Sequence, residues 1–357
     1  MNVTFLIGNG FDINIGLNTR FRDFLKIYLK SKNSDPRIVK FKKDINLDLD
    51  AWSDFETQMG KYTEKFSIDT MDDFIYCLDD FRSELIEHLK KQEKQIDFDY
   101  LSNNIVKIFR ESIINFKSVF PEESKSRIRS LYNAFQYGVY NYNFILFNYT
   151  YVLDKCINIL KGITPPLSNH RYLSNVYADT IGTVLHIHGT TTRDVIIGVD
   201  NANQIINEEL AKNKRFIRTI IKTQINKKLK KRKDEIGSDL IKNSNIICVF
   251  GMSLGETDKT WWQRIGNWLK SDESHELVIF NVSKKTNPIH PNQYFDIEDK
   301  IIERFFELSD FPNDKKDSFE KQIHIGLNTN IFKIDLTQKP AEQKLLNEVS
   351  EKELVAV

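Results

Sequence analysis

Val3-Thr4-Phe5-Leu6-Ile7-Gly8-Asn9-Gly10-Phe11-Asp12 runs an apolar stretch straight into a glycine turn. The run lacks polar alternation, which suits a strand buried on both faces, as in a parallel sheet. Glycines at a strand end let the chain turn tightly and bring backbone N–H groups close to a ligand. A helix after such a turn would aim its positive end at a phosphate. The stretch is not G-x-G-x-x-G, because Phe11, Asp12 and Ile13 follow Gly10. A plain tight turn is the competing reading of these residues.

Working outward, similar apolar runs recur at Asn143–Phe147, Val184–Ile187, Val195–Val199, Ile246–Phe250, Leu277–Asn281 and Ile331–Leu336. Helix-length amphipathic segments separate most of them. Strand, helix, strand in this rhythm predicts an α/β, Rossmann-like doubly wound, mainly parallel sheet. The interval between Ile7 and Asn143 reads as nearly all helix, over Arg20–Lys30, Ala51–Phe66, Met71–Lys91, Asn103–Phe120 and Ser124–Tyr137. That is more chain than a crossover needs, so a large helical insertion after the first strand is expected. One or two of its segments are also expected to serve as ordinary crossover helices. The expected division is residues 1–19 and 138–337 as the nucleotide-binding domain, 20–137 as the helical cap and 338–357 as a polar tail.

The 357 residues carry 51 Lys and Arg against 50 Asp and Glu, for a net charge of +1. No global field steers the protein toward nucleic acid or membrane. No stretch approaches the roughly 18 apolar residues that span a bilayer, and no secretory leader is evident. Cys77, Cys156 and Cys248 are scattered and form no C-x-x-C pair. This argues against a disulfide scaffold or zinc ribbon, and a cytoplasmic location is expected. One segment breaks the charge balance: Lys212–Lys233 holds eleven Lys and Arg and no acid. Its apolar residues recur at helical spacing, predicting an amphipathic basic helix. A solvated outer face is the first reading of it, and an anionic partner such as nucleic acid the lesser one.

The ends of the predicted strands carry the chemistry. Gly251-Met252-Ser253-Leu254-Gly255 follows Ile246–Phe250 and repeats the design of the first turn. Ser253 would donate to a phosphate, and Asp258 falls where a helix starting near Thr257 has its first turn. His186-Ile187-His188-Gly189 offers two histidines at strand period, and Gly189 closes the run. Ligands at a familiar metal spacing are missing nearby, so no metal is expected and a single base at His188 is the better reading. Asn148, in Phe147-Asn148-Tyr149-Thr150, suits a held water or a ribose hydroxyl, or else caps the next helix. Asn281 ends its strand in the same way. Five strand ends thus present Gly, Asn, His or Ser on one edge, where doubly wound sheets bind nucleotides.

In order, Gly8-Asn9-Gly10-Phe11-Asp12, Gly16-Leu17-Asn18-Thr19-Arg20-Phe21, Trp52-Ser53-Asp54-Phe55-Glu56, Phe147-Asn148-Tyr149-Thr150, His186-Ile187-His188-Gly189 and Gly251-Met252-Ser253-Leu254 resemble the AbiH family of phage abortive-infection proteins. The set also resembles, more remotely, the sirtuin-like NAD-binding fold. That resemblance implies Asn148 and His188 as a catalytic pair. It implies NAD contacts from Gly8, Asn9, Gly10, Phe11, Asp12, Gly189, Gly251, Ser253, Leu254, Asp258 and Asn281. Sirtuin deacetylases carry four zinc-binding cysteines, which this chain lacks, so protein deacylation is not expected.

The leading expectation is an anti-phage protein that binds NAD and hydrolyses its nicotinamide–ribose bond. A non-catalytic sensor of NAD or an ADP-ribose-type nucleotide is the alternative. A metal-dependent nucleotide or nucleic-acid hydrolase using Asp12, His186, His188 and Asp258 ranks third. A phage-derived trigger or partner protein and self-association into a homo-oligomer are the other partners considered; no membrane is expected.

Overall fold

The computed structural model describes residues 1–283, 291–312 and 316–337. The expected polar tail, 338–357, lies outside the described residues.

Among the described residues eight strands form in chain order: β1 (Asn2–Ile7), β2 (Asn141–Leu146), β3 (Asn169–Tyr172), β4 (Asn175–Ala178), β5 (Thr180–His186), β6 (Ile246–Phe250), β7 (Glu276–Asn281) and β8 (Ile323–Leu327). Six of them make one sheet, ordered β5-β2-β1-β6-β7-β8, and every pairing in it is parallel. β3 and β4 form a separate antiparallel hairpin. With the hairpin set aside, the order is the 3-2-1-4-5-6 of a doubly wound sheet.

The apolar runs explain this directly. Val3, Phe5 and Ile7 belong to one core, and Leu6 to another on the opposite face. The first core is closed by the helices Phe98–Ile114 and Val152–Lys161, the second by Lys259–Leu269 and Pro291–Leu308. A third core contains no sheet residue. It joins the helices Phe21–Tyr28, Pro36–Leu47, Phe55–Tyr62 and Met71–Glu93 to Ile197, Val199, Phe216 and Ile220. The cap core therefore draws on two distant stretches of chain.

Three expectations need correction. Val195–Val199 is not a strand, and only Val199 makes a single bridge, to Ile221. Ile197 and Val199 are buried in the cap core instead, with Val195 packed at its edge, and a Cβ on Gly198 would collide with the Ile220 carbonyl. Ile331–Leu336 is irregular, although Phe332 and Leu336 are fully buried. The sixth strand of the sheet is β8, Ile-His-Ile-Gly-Leu, whose histidine and glycine break the apolar run. The third correction concerns Lys212–Lys233. It is not one helix but Lys214–Ile220, Lys222–Leu229 and the start of Lys233–Lys242. Asn213 caps the first piece, accepting from the N–H groups of Arg215 and Phe216. Lys230, with positive φ, ends the second, and Arg232, also with positive φ, precedes the third. Clustered like charges and β-branched residues both weaken a continuous helix there.

The helix Pro36–Leu47 was not anticipated. Its signal is present in Asp35-Pro36, an N-cap followed by proline at the first helical position. None of the described helices is long and apolar enough to cross a membrane.

Candidate active site

The direction of winding reverses between β1 and β6, which opens a crevice beyond their carboxyl ends. The two glycine turns meet there. Gly8 N–H donates to the Phe250 carbonyl at 2.9 Å, and Gly10 N–H to the Gly251 carbonyl at 2.7 Å. A Cβ on Gly10 would stand 2.5 Å from Gly251 Cα, and Gly251 itself has φ +69°. The glycines therefore serve a backbone-to-backbone contact, and these two N–H groups are committed to protein acceptors. The helix that follows, Gly10–Asn14, is a single short turn.

Above this floor lies a cavity of about 660 Å³, within the range of small-molecule sites. The turns and the helix start after β6 contribute Gly8, Asn9, Gly10, Asp12, Gly251, Ser253 and Asp258 to its lining, and the other strand ends add Asn148 and His188. Thr19, just before the cap, and Arg20, Ser53 and Glu56 of the cap complete the lining on that side. Of the expected nucleotide contacts, Phe11, Gly189, Leu254 and Asn281 are not in the lining. Phe11 packs in the sheet core against Phe109 and Phe332. Gly189 turns with φ +81° against Asp194. Leu254 is partly buried at the margin of the second core. The carbonyl of Asn281 accepts the N–H of Asn328.

Asp12 is fully buried. Its Oδ1 accepts from Thr150 Oγ1 at 2.8 Å and from Asn148 Nδ2 at 3.1 Å. Asn148 is not the cap of the next helix, where Tyr151 holds that place. Burial pushes the Asp12 carboxyl up to about 7, against the pull of those two hydrogen bonds.

His188 lies edge-on to Phe147, with ring centroids 5.4 Å apart. Burial first, and the Lys222 ammonium second, push it down to about 3, although Asp258 opposes them. It is therefore a neutral imidazole at neutral pH. His186 does not share its surroundings: Nε2 of His186 meets Asp154 Oδ2 at 2.8 Å. Among the described residues, no three of His, Cys, Asp and Glu stand together as a metal site would require.

An ion cluster closes the cavity on the His188 side. Lys222 Nζ donates to Glu56 Oε2 at 2.6 Å, to Asp258 Oδ1 at 3.0 Å and to the Thr257 carbonyl at 3.0 Å. His188 Nε2 stands 3.8 Å from Asp258 Oδ1. Burial opposes ionisation of Lys222, but the two carboxylates outweigh it and hold the ammonium charged. Asp258, which burial alone would raise, is held below its ordinary value mainly by Lys222. Its helix-start position carries no side-chain cap bond. Lys222, Glu56, Thr19 and Thr150 were not singled out from sequence. Three of them sit in quoted motifs, whereas Lys222 is hidden among ten other cations.

Four buried atoms in the cavity lining have no hydrogen-bond partner: Asp12 Oδ2, Thr19 Oγ1, Asn148 Oδ1 and His188 Nε2. Native proteins rarely leave such groups unsatisfied, so their convergence on one cavity marks a place for a polar ligand or water.

Fold and site together define a doubly wound α/β protein with a capped polar crevice at its switch point. The family model for bacteriophage abortive infection AbiH matches residues 4–280, and the chain belongs to that family. No curated protein and no solved structure matches it.

Proposed function

We propose that this abortive-infection protein binds NAD in the crevice and hydrolyses the nicotinamide–ribose bond. The observation that carries this reading is the set of four unpartnered polar atoms, which includes both Asn148 and His188. The sirtuin-like resemblance supplies the identity of the ligand.

In the proposed reaction a water oxygen bonds to the ribose anomeric carbon while the carbon–nitrogen bond breaks. The bonding pair neutralises the pyridinium, and the water gives up a proton. A cationic leaving group needs little acid catalysis. What helps is an oriented water, a proton acceptor and exclusion of solvent. Asn148 Oδ1 orients the water or a ribose hydroxyl. His188 Nε2, neutral and enclosed, takes the proton. Asp12 fixes the Asn148 amide. Because Gly8 and Gly10 both spend their N–H groups on carbonyls of β6 and its turn, phosphate contacts fall to side chains of the cavity, chiefly Arg20, Thr19 and Ser253.

Purified protein incubated with NAD is expected to release nicotinamide, measured by chromatography. Asn148→Ala and His188→Ala are each expected to lower release by roughly 10²-fold or more, with folding checked by circular dichroism. Absence of both nicotinamide release and NAD binding would overturn the reading.

A further inference from the structure

The cap carries a second concentration of positive charge, far in sequence from Lys212–Lys233. Residues 21–47 hold eight Lys and Arg against three acids, in a chain whose net charge is only +1. Two hollows of about 830 and 530 Å³ adjoin there and share Leu29, Lys30 and Lys42 in their walls. Lys26, Lys32 and Lys43 supply further cations, and no carboxylate lines either hollow.

The charges are unusually free. Among the described residues, none of Lys30, Lys32, Lys42 and Lys43 has a carboxylate within 4.0 Å. Lys26 reaches Asp23 only at 3.9 Å. Asp80, the nearby acid, is already engaged by Tyr28 Oη at 2.7 Å and Asn33 Nδ2 at 3.2 Å. Lys42 is the built part of the groove. It is 9% exposed, yet its ammonium is held by neutral groups, Ser31 Oγ at 2.7 Å and the Ser31 carbonyl at 2.8 Å. The ammonium also lies over the Tyr28 ring at 4.4 Å, and Asp80 and Glu84 act on it only from beyond 4.0 Å, so burial still pulls its pKa down and no direct ion pair offsets the lost solvation. An anion entering the groove restores that balance.

We propose that this lysine groove, between the helices Phe21–Tyr28 and Pro36–Leu47, binds the phosphodiester backbone of single-stranded nucleic acid. Lysines act as point charges that follow a phosphate chain, where arginine forks would favour one bidentate anion. Ser34 and Asn33 line the same wall and are side chains of the kind that contact phosphates, Asn33 with the amide hydrogen that Asp80 leaves over. A concave channel receives a single strand, whereas a duplex presents a convex surface to it. No aromatic residue lines the groove, so binding rests on the backbone and tolerates any sequence, without base stacking. The proposal stands apart from NAD cleavage.

The test is fluorescence anisotropy of labelled oligouridylate with the full-length protein at several salt concentrations. Lys30 and Lys43 are exposed, so Lys30→Glu with Lys43→Glu should fold normally, checked by circular dichroism and melting temperature. Wild-type protein is expected to bind more weakly as salt rises. The double variant is expected to lose at least tenfold in affinity, and its salt slope should fall by about 1.4, or ~0.7 per lost contact. Equal affinity in both proteins, or no binding at low salt, overturns the proposal. So does loss on Lys227→Glu with Lys228→Glu instead, which would place the contact on the other basic segment. Inorganic tripolyphosphate and polyglutamate are the comparison ligands. Binding of either one without oligouridylate would overturn a nucleic-acid occupant.

Discussion

Asn148 donates its side-chain amide to Asp12 at 3.1 Å across a separation of 136 residues. The bond joins the turn after β1 to the turn after β2. It leaves Asn148 Oδ1 and Asp12 Oδ2 as the unpaired atoms of the two side chains. A carboxylate inside the protein thus orients the residue proposed to orient the water.

The Asp12 carboxyl, raised to about 7 by burial, makes stability depend on pH. The unfolded group titrates near ~3.9, so from about pH 4 upward the folded state alone holds the proton, and stability falls until pH passes about 7. Asp12→Asn keeps an acceptor for Thr150 and Asn148 but carries no charge. The variant should gain on the order of 1–3 kcal/mol over wild type between pH 5 and pH 8. Thermal melts at the two pH values check this; an advantage that does not grow with pH would refute it.

His188 behaves oppositely. Its folded value, about 3, lies below the ordinary ~6.5. Its contribution to stability is complete above about 6.5 and is lost as pH falls toward about 3. Nicotinamide release should therefore show no inflection near 6.5 from this residue. His188→Ala should lower the rate by roughly 10²–10⁴-fold. A pH–rate profile with a clear step at 6.5 that vanishes in His188→Ala would contradict the assignment.

Lys222 neutralises two buried carboxylates at once. Lys222→Met should destabilise the protein by roughly 3–5 kcal/mol, since it leaves Asp258 without its cation and forces Glu56, already pushed up to about 7 by burial, to take up a proton. Adding Glu56→Gln and Asp258→Asn should recover much of that loss. Urea denaturation of the single and triple variants measures both. A triple variant as unstable as the single one would show that the charges are not the cause.

Gly10 and Gly251 leave no room for a side chain. Gly10→Ala sets a methyl 2.5 Å from Gly251 Cα, and backbone on both sides must move. A loss of about 1–3 kcal/mol is expected, together with loss of NAD binding because the floor of the crevice spreads. Calorimetric titration with NAD checks the second half, and undiminished binding would show that the contact is not needed for the site.

The sequence made some elements plain and concealed others for physical reasons. β1, β2, β6 and β7 are legible because residues buried on both faces leave an unbroken apolar run. β8 is concealed because His324 finds Glu276 Oε2 at 2.7 Å inside the protein, so a polar residue occupies a strand interior. Val195–Val199 and Ile331–Leu336 show the converse: apolar runs report burial, and burial does not require a strand. The glycine turns could be placed at the crevice because topology puts every carboxyl strand end on one edge. The partners of Asp12 could not, since side-chain pairing across such separations leaves no local pattern. Lys222 was invisible because a lysine buried between carboxylates is spelled like its exposed neighbours.

The contact between Gly10 and Gly251 also fixes an order of events during synthesis. The ribosome delivers the first turn early and the second only after most of the chain has emerged. Until then β1 lacks β6, and the crevice has half a floor. Lys222 and Asp258 arrive in the same late interval. Nascent chains therefore carry an unfinished crevice through most of translation. A chain truncated before β6 would keep Asp12, Asn148 and His188 but lack Gly251, Ser253 and Asp258, so a complete crevice is confined to molecules that extend past β6.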